Sequence, residues 1–256
     1  MSVLTFRGGT HPYDGKALSR DAAIEEIKPG EELVFPLSQH IGAPAVPIVE
    51  IGERVLAGQK IAAKSGFISA NIHSSVSGTV IKIEPRTIAT GGKVNSIVIR
   101  NDNLYEQAPP INDKNPDDMT DDEIRTVIEE AGIVGMGGAG FPTNVKLTPK
   151  NPEAIDTIIV NGAECEPYLT SDYRRMLEYT DELVKGLKIV LRLFPGARGV
   201  FGVEDNKPEA IKALKKATSG ENNIEVAVLK TKYPQGGERC MIKAVTDHIK
   251  FRESVP

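Results

Sequence analysis

The most constraining feature of this 256-residue chain is a glycine-rich stretch at residues 135–146, whose sequence is GMGGAGFPTNVK. Four glycines fall within its first six residues, so the main chain carries few side chains there. Its N–H groups can therefore close around an anion or a flat ring, and Lys146 offers a positive charge to the same ligand. The spacing G-x-G-x-x-G is a weak signal by itself, because a dinucleotide-binding loop also needs a preceding strand and a following helix.

A helix, rather than a strand, is predicted immediately before these glycines. Residues 120–123 (TDDE) form a capping-box sequence, apolar residues recur at helical spacing through Ala131, and Gly132 can end the helix. An ordinary Rossmann loop is therefore not expected. A Walker A loop is excluded as well, because no Gly-Lys-Ser/Thr follows the glycines. The stretch thus predicts a glycine-rich binding loop of another type.

Composition limits the classes of protein and of site. Charged residues make up 26% of the chain and apolar residues 40%, which is typical of a soluble globular protein. The net charge of −4 gives no electrostatic reason to expect nucleic acid or an anionic membrane surface. Cys165 and Cys240 are too few for a self-contained iron–sulfur or zinc cysteine site, and we expect both to be small packed residues. His40 and His73 lack a second ligand at metal-binding spacing, so no metal site is predicted.

Short β-type runs separated by glycines occupy residues 46–99 and predict a compact all-β barrel or sandwich. Their order resembles the barrel-sandwich hybrid of lipoyl and biotinyl carrier domains, which present a modifiable lysine on a hairpin. Lys64 stands near that place but lacks the flanking residues of those carriers, so we favour a packing or docking module. Residues 102–119 are rich in proline and acidic residues, as in a linker. We therefore predict a β domain at residues 1–110, with a loosely structured start, and a second domain at residues 111–256.

Strands alternate with helices in the second domain, which predicts an α/β fold with a parallel sheet. Strands are expected at residues 157–161, 198–204 and 224–229, and helices at residues 171–193, 208–217 and 238–245. Acidic residues follow the first strand in the string NGAECEP at residues 161–167, and a second glycine turn follows the third strand at residues 233–239. Ligands of open α/β sheets bind beyond the carboxyl ends of strands, so both loops are candidate sites.

Three strings together resemble the flavin-binding region of the NADH-oxidising flavoprotein subunit of respiratory complex I. They are GMGGAGFPTNVK, NGAECEP and YPQGGE, at residues 135–146, 161–167 and 233–238. With a barrel-sandwich domain placed before them, the chain is more similar to the RnfC family of Rnf electron-transport complexes. The resemblance covers nearly all of residues 5–245 and implies a Rossmann-like flavin domain behind a small β domain.

The resemblance also implies a set of binding residues for FMN and NAD(H). The glycine loop and Lys146 would contact FMN, Asn161 and Glu164 would hydrogen-bond it from the strand end, and Phe141 would stack on the nicotinamide dinucleotide. The full set is Gly135, Gly137, Gly138, Ala139, Gly140, Phe141, Lys146, Asn161, Glu164, Glu166, Tyr233, Gly236, Gly237 and Glu238. Complex I has an aspartate in place of Ala163 and a glutamate in place of Gly237. No protein acid–base catalyst is expected, since the cofactor supplies hydride transfer.

The implied function is that of the NADH-oxidising, or NAD-reducing, module of an ion-translocating NADH–ferredoxin oxidoreductase. We expect it to be cytoplasmic and held at the inner face of the cell membrane by other Rnf subunits, with ferredoxin as an indirect partner. Family members continue into a ubiquitin-like (SLBB) domain and a [4Fe–4S] domain, neither of which is in this chain, so we expect a fragment that performs a partial reaction. A cobalamin-reductase-like flavoprotein and a non-catalytic docking scaffold with a degenerate flavin site are the alternatives.

Overall fold

The computed structural model describes residues 3–136, 138 and 140–246. The chain divides into two compact units. The β unit is Ile27–Lys150, and the parallel-sheet unit combines Met1–Glu26 with Asn151–Pro256. The glycine-rich stretch therefore groups with the β unit, whereas both candidate loops at strand ends belong to the parallel-sheet unit.

Two antiparallel sheets build the β unit. Their strands are β1 (Glu32–Pro36), β2 (Val46–Pro47), β3 (Arg54–Val55), β4 (Lys60–Ala63), β5 (Ile72–His73), β6 (Gly78–Thr87) and β7 (Lys93–Asn101). One sheet has the order β1-β7-β6-β3 and the other the order β2-β4-β5. Their shared core is aliphatic, with Val55, Ile61, Val76, Val80 and Ile97 fully buried. The prediction of a small all-β barrel or sandwich in this region is confirmed.

The helix before the glycine-rich stretch is confirmed as α1 (Asp121–Glu130). The Thr120 hydroxyl accepts a hydrogen bond from the Glu123 N–H, and the Glu123 carboxylate accepts one from the Thr120 N–H, which completes the capping box. The turn after the helix uses Gly132 at φ +64°, where a Cβ would stand 2.2 Å from the Asn71 carbonyl oxygen. A one-turn helix, α2 (Thr143–Lys146), follows the glycines.

The parallel-sheet unit has the predicted strand–helix alternation. Its elements are β8 (Thr157–Gly162), α3 (Ser171–Glu178), α4 (Thr180–Arg192), β9 (Arg198–Glu204), α5 (Pro208–Ala217), β10 (Ile224–Leu229) and α6 (Glu238–Thr246). The strands are parallel in the order β10-β9-β8, so all three carboxyl ends lie at one edge. The prediction of one continuous helix at residues 171–193 is wrong. Tyr179 leaves the helical region at φ −128° and ψ 34° and separates α3 from α4.

The first residues of the chain differ from the expected loose start of the β domain, since they group with the parallel-sheet unit. Leu4 forms a parallel bridge with Leu229 at the end of β10, and Thr10 forms an antiparallel bridge with Tyr233. Among the described residues, no helix is both long and apolar enough to cross a membrane.

Candidate functional site

The carboxyl edge of the parallel sheet carries the polar groups that a site requires. Strands β8, β9 and β10 end at Gly162, Glu204 and Leu229, and the loops that follow bring Glu164 and residues 233–238 to this edge. Open α/β sheets bind ligands at this position, because the loops diverge where the strands end. The two strand-end loops singled out from the sequence therefore belong to one edge.

Glu164 is the central acidic residue of this edge and is only 5% exposed. Its Oε1 accepts a hydrogen bond of 2.7 Å from the N–H of Asp172, in the first turn of α3, where the helix dipole favours a carboxylate. Its buried Oε2 has no hydrogen-bond partner among the described residues, although the Lys16 ammonium lies 3.9 Å away. Burial raises the pKa of Glu164, and the nearby charges of Lys16 and Lys207 oppose that rise.

Hydrogen bonds connect the loop after β8 to the second glycine turn. The Asn161 side-chain amide donates to the Gly236 carbonyl at 2.8 Å, while its oxygen accepts from the Ala163 N–H at 3.2 Å. The Cys165 thiol accepts from the Gly236 N–H at 3.2 Å. Burial raises the pKa of this thiol, in agreement with a packed structural cysteine. Asn161 and Cys165 thus join the loop after β8 to the second glycine turn.

The remaining predicted residues of this edge present side chains to solvent. Tyr233 is exposed and precedes a cis peptide bond to Pro234, while Glu166 is exposed in the loop after β8. The Gly237 carbonyl accepts from the Met241 N–H, so Gly237 lies at the start of α6, and Glu238 is the first, exposed residue of that helix.

Main-chain hydrogen bonds join the described residues on either side of the glycines at residues 137–140, within the β unit. The Gly135 N–H donates to the Phe141 carbonyl at 3.0 Å, and the Thr143 N–H donates to the Ile133 carbonyl at 2.9 Å. Gly140 adopts φ +65°, and a Cβ there would stand 3.0 Å from the Cα of His40. A glycine at this position is therefore required by the fold itself.

Gly138 differs from Gly140 in its surroundings. It is exposed, and a Cβ there would meet no described atom within 4 Å. Phe141 is half-buried, and Lys146 is exposed in the last turn of α2. Gly137 and Ala139, which the sequence also assigns to the binding loop, lie outside the described residues.

Four buried polar residues of the parallel-sheet unit were not found from the sequence. Glu204, at the end of the central strand, is fully buried and accepts a hydrogen bond of 3.0 Å from the Lys207 ammonium, itself 2% exposed. Lys16 reaches this edge from the N-terminal segment. Gln235 is fully buried, and neither polar atom of its side-chain amide has a hydrogen-bond partner among the described residues. The sequence could have indicated Glu204 and Gln235 only by their position, because they stand at or after the carboxyl ends of predicted strands, where ligands of open α/β sheets bind.

No group of three or more His, Cys, Asp or Glu side chains suited to a metal ion occurs within the described part of the chain. Lys64, considered above as a carrier lysine, forms an ion pair of 2.5 Å with Glu129 of α1. The ion pair joins Lys64, which follows β4, to α1 within the β unit.

Comparisons with known proteins cover both halves of the chain. Residues 4–104 match the family model of the RnfC barrel-sandwich hybrid domain, and residues 128–256 match that of the Nuo51 FMN-binding domain. These two matches divide the chain between residues 104 and 128, whereas the compact units divide it at residues 26 and 150.

Curated relatives are similar to this chain along almost its whole length. The C subunit of the Na⁺-translocating ferredoxin:NAD⁺ oxidoreductase complex of Acetobacterium woodii is 44% identical over 94% of this chain and 55% of its own length. The C subunit of the proton-translocating ferredoxin:NAD⁺ oxidoreductase complex of Clostridium ljungdahlii is 44% identical over 94% of this chain and 53% of its own length. The C subunit of the ion-translocating oxidoreductase complex of Pseudomonas aeruginosa is 40% identical over 100% of this chain and 33% of its own length. The chain therefore spans about half or less of the curated relatives it matches, and it belongs to the RnfC family, with a barrel-sandwich domain followed by a Nuo51-type FMN-binding domain.

Proposed function

We propose that this chain is the FMN-binding, NAD(H)-reactive part of an Rnf-type ferredoxin:NAD⁺ oxidoreductase. The proposal is supported by the match of residues 128–256 to an FMN-binding domain and by the activities for which the relatives are named. The observation that carries it is the group of buried, unpartnered polar atoms on Glu164 and Gln235, among the described residues, at the carboxyl edge of a parallel sheet. Such atoms cost free energy on burial unless a further group satisfies them.

The residues present fit a flavin. An isoalloxazine ring and a ribityl phosphate need hydrogen-bond partners together with a region free of side chains. Within the parallel-sheet unit, Glu164 and Gln235 supply polar atoms that no described residue satisfies. Within the β unit, a Cβ on Gly138 would meet no described atom within 4 Å. Lys146 is an exposed cation that can contact a phosphate.

The proposal keeps the residues that the sequence assigns to FMN and NAD(H). Gly137, Gly138, Ala139 and Gly140 would hold FMN through main-chain N–H groups and Lys146 through its charge. Gly135, whose N–H donates to the Phe141 carbonyl, would contact FMN without that donor, and Phe141 would stack on the dinucleotide. Glu164, Tyr233, Gly236 and Gly237 act from the strand ends, while Glu166 and Glu238 hold the ribose or amide of NAD(H). Asn161 also fixes the loops, because its amide binds Gly236 and Ala163, and it keeps one N–H donor and one oxygen lone pair with which it would contact FMN.

Hydride transfer between NAD(H) and the flavin is chemistry that FMN supplies when it is bound. The protein orients the two rings and excludes water from them. Glycines permit a close approach, and the carboxylates of Glu166 and Glu238 accept hydrogen bonds from hydroxyl groups. Glu164, held by the Asp172 N–H, keeps one oxygen available to a ligand donor at the strand edge.

The finer parts of the proposal extend beyond this chain. We assign the parallel-sheet unit to the Rossmann-like class. The chain would act at the inner face of the cell membrane with other Rnf subunits, and [4Fe–4S] clusters elsewhere in the complex would carry electrons to or from ferredoxin. The chain alone would perform the partial reaction between NAD(H) and FMN.

The test is reconstitution of the 256-residue chain with FMN, followed by anaerobic titration with NADH. We expect saturable quenching of flavin fluorescence on binding and bleaching of the flavin absorbance by NADH. Binding without bleaching would support a docking scaffold, and no binding at all would overturn the proposal. Bleaching followed by electron transfer to a cobalamin but not to a ferredoxin would favour the cobalamin-reductase alternative.

A further inference from the structure

The N-terminal segment, residues 3–24, runs along both strand-end loops of the parallel-sheet unit. Near its start, the Thr10 N–H donates to the Tyr233 carbonyl at 2.7 Å, and the Tyr233 N–H donates back at 2.8 Å. Further on, the Tyr168 N–H donates to the Asp14 carbonyl at 2.6 Å. The hydroxyl groups of Ser19 and Thr170 are 2.8 Å apart. One segment therefore contacts the loop after β8 and the loop after β10.

Lys16 is the polar centre of this contact. It is 7% exposed, and its ammonium donates to the carbonyls of Glu164, Glu166 and Leu169 at 2.9, 2.9 and 2.6 Å. An ammonium has three N–H donors, so these three bonds use all of its capacity. The segment 164–169 thus bends around a single cation, and three of its carbonyls converge on the Lys16 ammonium.

The contacts of Lys16 compensate for the unfavourable free energy of burying its charge. Burial lowers the pKa of Lys16, and the carboxylates of Glu164 and Glu204 oppose that effect. Taking a cation out of water is unfavourable unless good hydrogen bonds and a counter-charge compensate. The three carbonyls supply the hydrogen bonds, and the Glu164 carboxylate, whose Oε2 lies 3.9 Å from the Lys16 Nζ, supplies the counter-charge. Gly15 precedes it at φ +60°, where a Cβ would stand 2.3 Å from the Tyr168 ring, so the backbone also follows this loop closely.

We propose that Lys16 is a positioning residue of the flavin site, which holds residues 164–169 in the shape that presents the Glu164 carboxylate to a ligand. The inference rests on the function proposed above. Lys16 itself has no N–H left for a ligand, so it acts through the loop. The N-terminal segment is thereby a part of the binding site, although it contains none of the glycine or acidic strings that mark the site in the sequence.

The charge of Lys16 has a separate consequence. The groups that face Glu164 are Lys16 from the N-terminal segment, Lys207 from the turn after β9, and Asp172 from α3, which gives both its N–H and its own carboxylate. When Lys16 is removed, burial and the Asp172 carboxylate still raise the pKa of Glu164. Only Lys207 and the hydrogen bond from the Asp172 N–H then lower it. The pKa of Glu164, already raised, rises further, and the carboxylate becomes protonated at a higher pH than in the unaltered chain.

The experiment measures FMN dissociation constants by flavin fluorescence at a series of pH values for the unaltered chain and for three variants of the full chain. Lys16→Met removes the charge and all three donors. Lys16→Arg keeps the charge but has a planar donor group that cannot converge on three carbonyls in the same way. Lys232→Met is the matched control, since Lys232 is also buried and binds the Phe6 and Gly8 carbonyls of the same segment rather than those of residues 164–169.

We expect Lys16→Met to weaken FMN binding at about pH 6 by about tenfold or more, the loss expected when buried acceptors lose their donor. The loss should become smaller as the pH rises, because a higher pH favours the ionised form of Glu164. Lys16→Arg should weaken binding while the pH dependence stays that of the unaltered chain. Lys232→Met should lower thermal stability without a new pH dependence of binding.

The outcomes separate this inference from the proposed function. If the unaltered chain binds FMN and Lys16→Met binds it equally well at every pH, the positioning role is overturned. If the methionine variant does not fold, Lys16→Arg decides: binding equal to that of the unaltered chain overturns the role, and weaker binding supports it. If the unaltered chain does not bind FMN, the proposed function fails, and the inference fails with it.

Discussion

The buried ion pair at the end of the central strand allows a stability prediction with a defined size. Glu204 is fully buried, Lys207 is 2% exposed, and the Lys207 ammonium also donates to the Asn206 side chain at 3.0 Å. Lys207→Met removes the cation and leaves Glu204 without its counter-charge. Breaking a buried pair from one side costs about 3–5 kcal/mol, because a desolvated charge remains. We expect the free energy of unfolding to fall by that amount at about pH 8, where an unperturbed carboxyl is ionised.

The loss should depend on pH in a direction that follows from Glu204. Burial raises the pKa of this carboxyl, while Lys207 opposes the rise. A carboxyl whose folded-state pKa is raised contributes stability below its unfolded pKa, and this contribution is lost as the pH rises through the folded pKa. Without Lys207 the folded pKa is higher still. At about pH 5 the neutral acid is buried at lower cost, so Lys207→Met should destabilise less there than at about pH 8.

Urea unfolding followed by far-ultraviolet circular dichroism measures both values. The control is Arg198→Ala, which breaks the ion pair between Arg198 and Glu225 on neighbouring strands of the same sheet. That pair has a shorter distance, 2.5 Å, but both side chains are about half exposed, so its loss should cost at most about 1 kcal/mol. The double variant Glu204→Gln with Lys207→Met should recover part of the loss. A cost below that of the Arg198 control, or a larger cost at acidic than at alkaline pH, would refute the reasoning.

Three further predictions concern the glycine loop, the thiols and the helix before the loop. Gly138→Val should abolish FMN binding at unchanged melting temperature, whereas Gly140→Val should lower the melting temperature because of the positive φ at residue 140 and the contact with His40. Flavin titration and thermal melts distinguish the two variants. Normal FMN affinity in the Gly138 variant would count against a role of the glycine loop in FMN binding. Cys165 should react with iodoacetamide more slowly than Cys240, since burial raises the pKa of the Cys165 thiol; peptide mass spectrometry measures the order, and faster labelling of Cys165 would contradict it. Thr120→Ala should cost about 1 kcal/mol by removing the cap of α1, and Thr120→Ser, which keeps the hydroxyl, should restore most of it in urea unfolding.

Much of the fold was predictable because local signals and tertiary structure agree. The bounds of β9, α5 and β10 match the predicted ranges, since each apolar run is bounded by turn residues and the helix carries its own start and stop signals. The helix break at Tyr179 was not predictable in this way. Its neighbours continue the helical pattern, and only the backbone geometry of Tyr179 in the folded chain separates α3 from α4.

The site was predictable only where its residues stand next to each other in the sequence. NGAECEP placed Asn161 and Glu164 at a strand end, and their contacts with Gly236 and Asp172 follow from the parallel order of the strands. The assignment of Asn161 to FMN stays a prediction. The side-chain amide is engaged by protein groups, which a sequence pattern cannot distinguish from a ligand contact.

Lys16 illustrates the physical limit of motif-based prediction at this site. It is separated by 148 residues from the first carbonyl that it binds, and its neighbours in sequence form only a short 3₁₀ turn, Lys16–Leu18. A lysine in such a segment is expected to be solvated, because burial of a cation is unfavourable in almost any context. What makes burial favourable here is the convergence of three main-chain carbonyls, and main-chain carbonyls leave no trace in residue identity. Positions that bind backbone groups across a fold can therefore determine the shape of a site while they remain unmarked in the strings that identify the family.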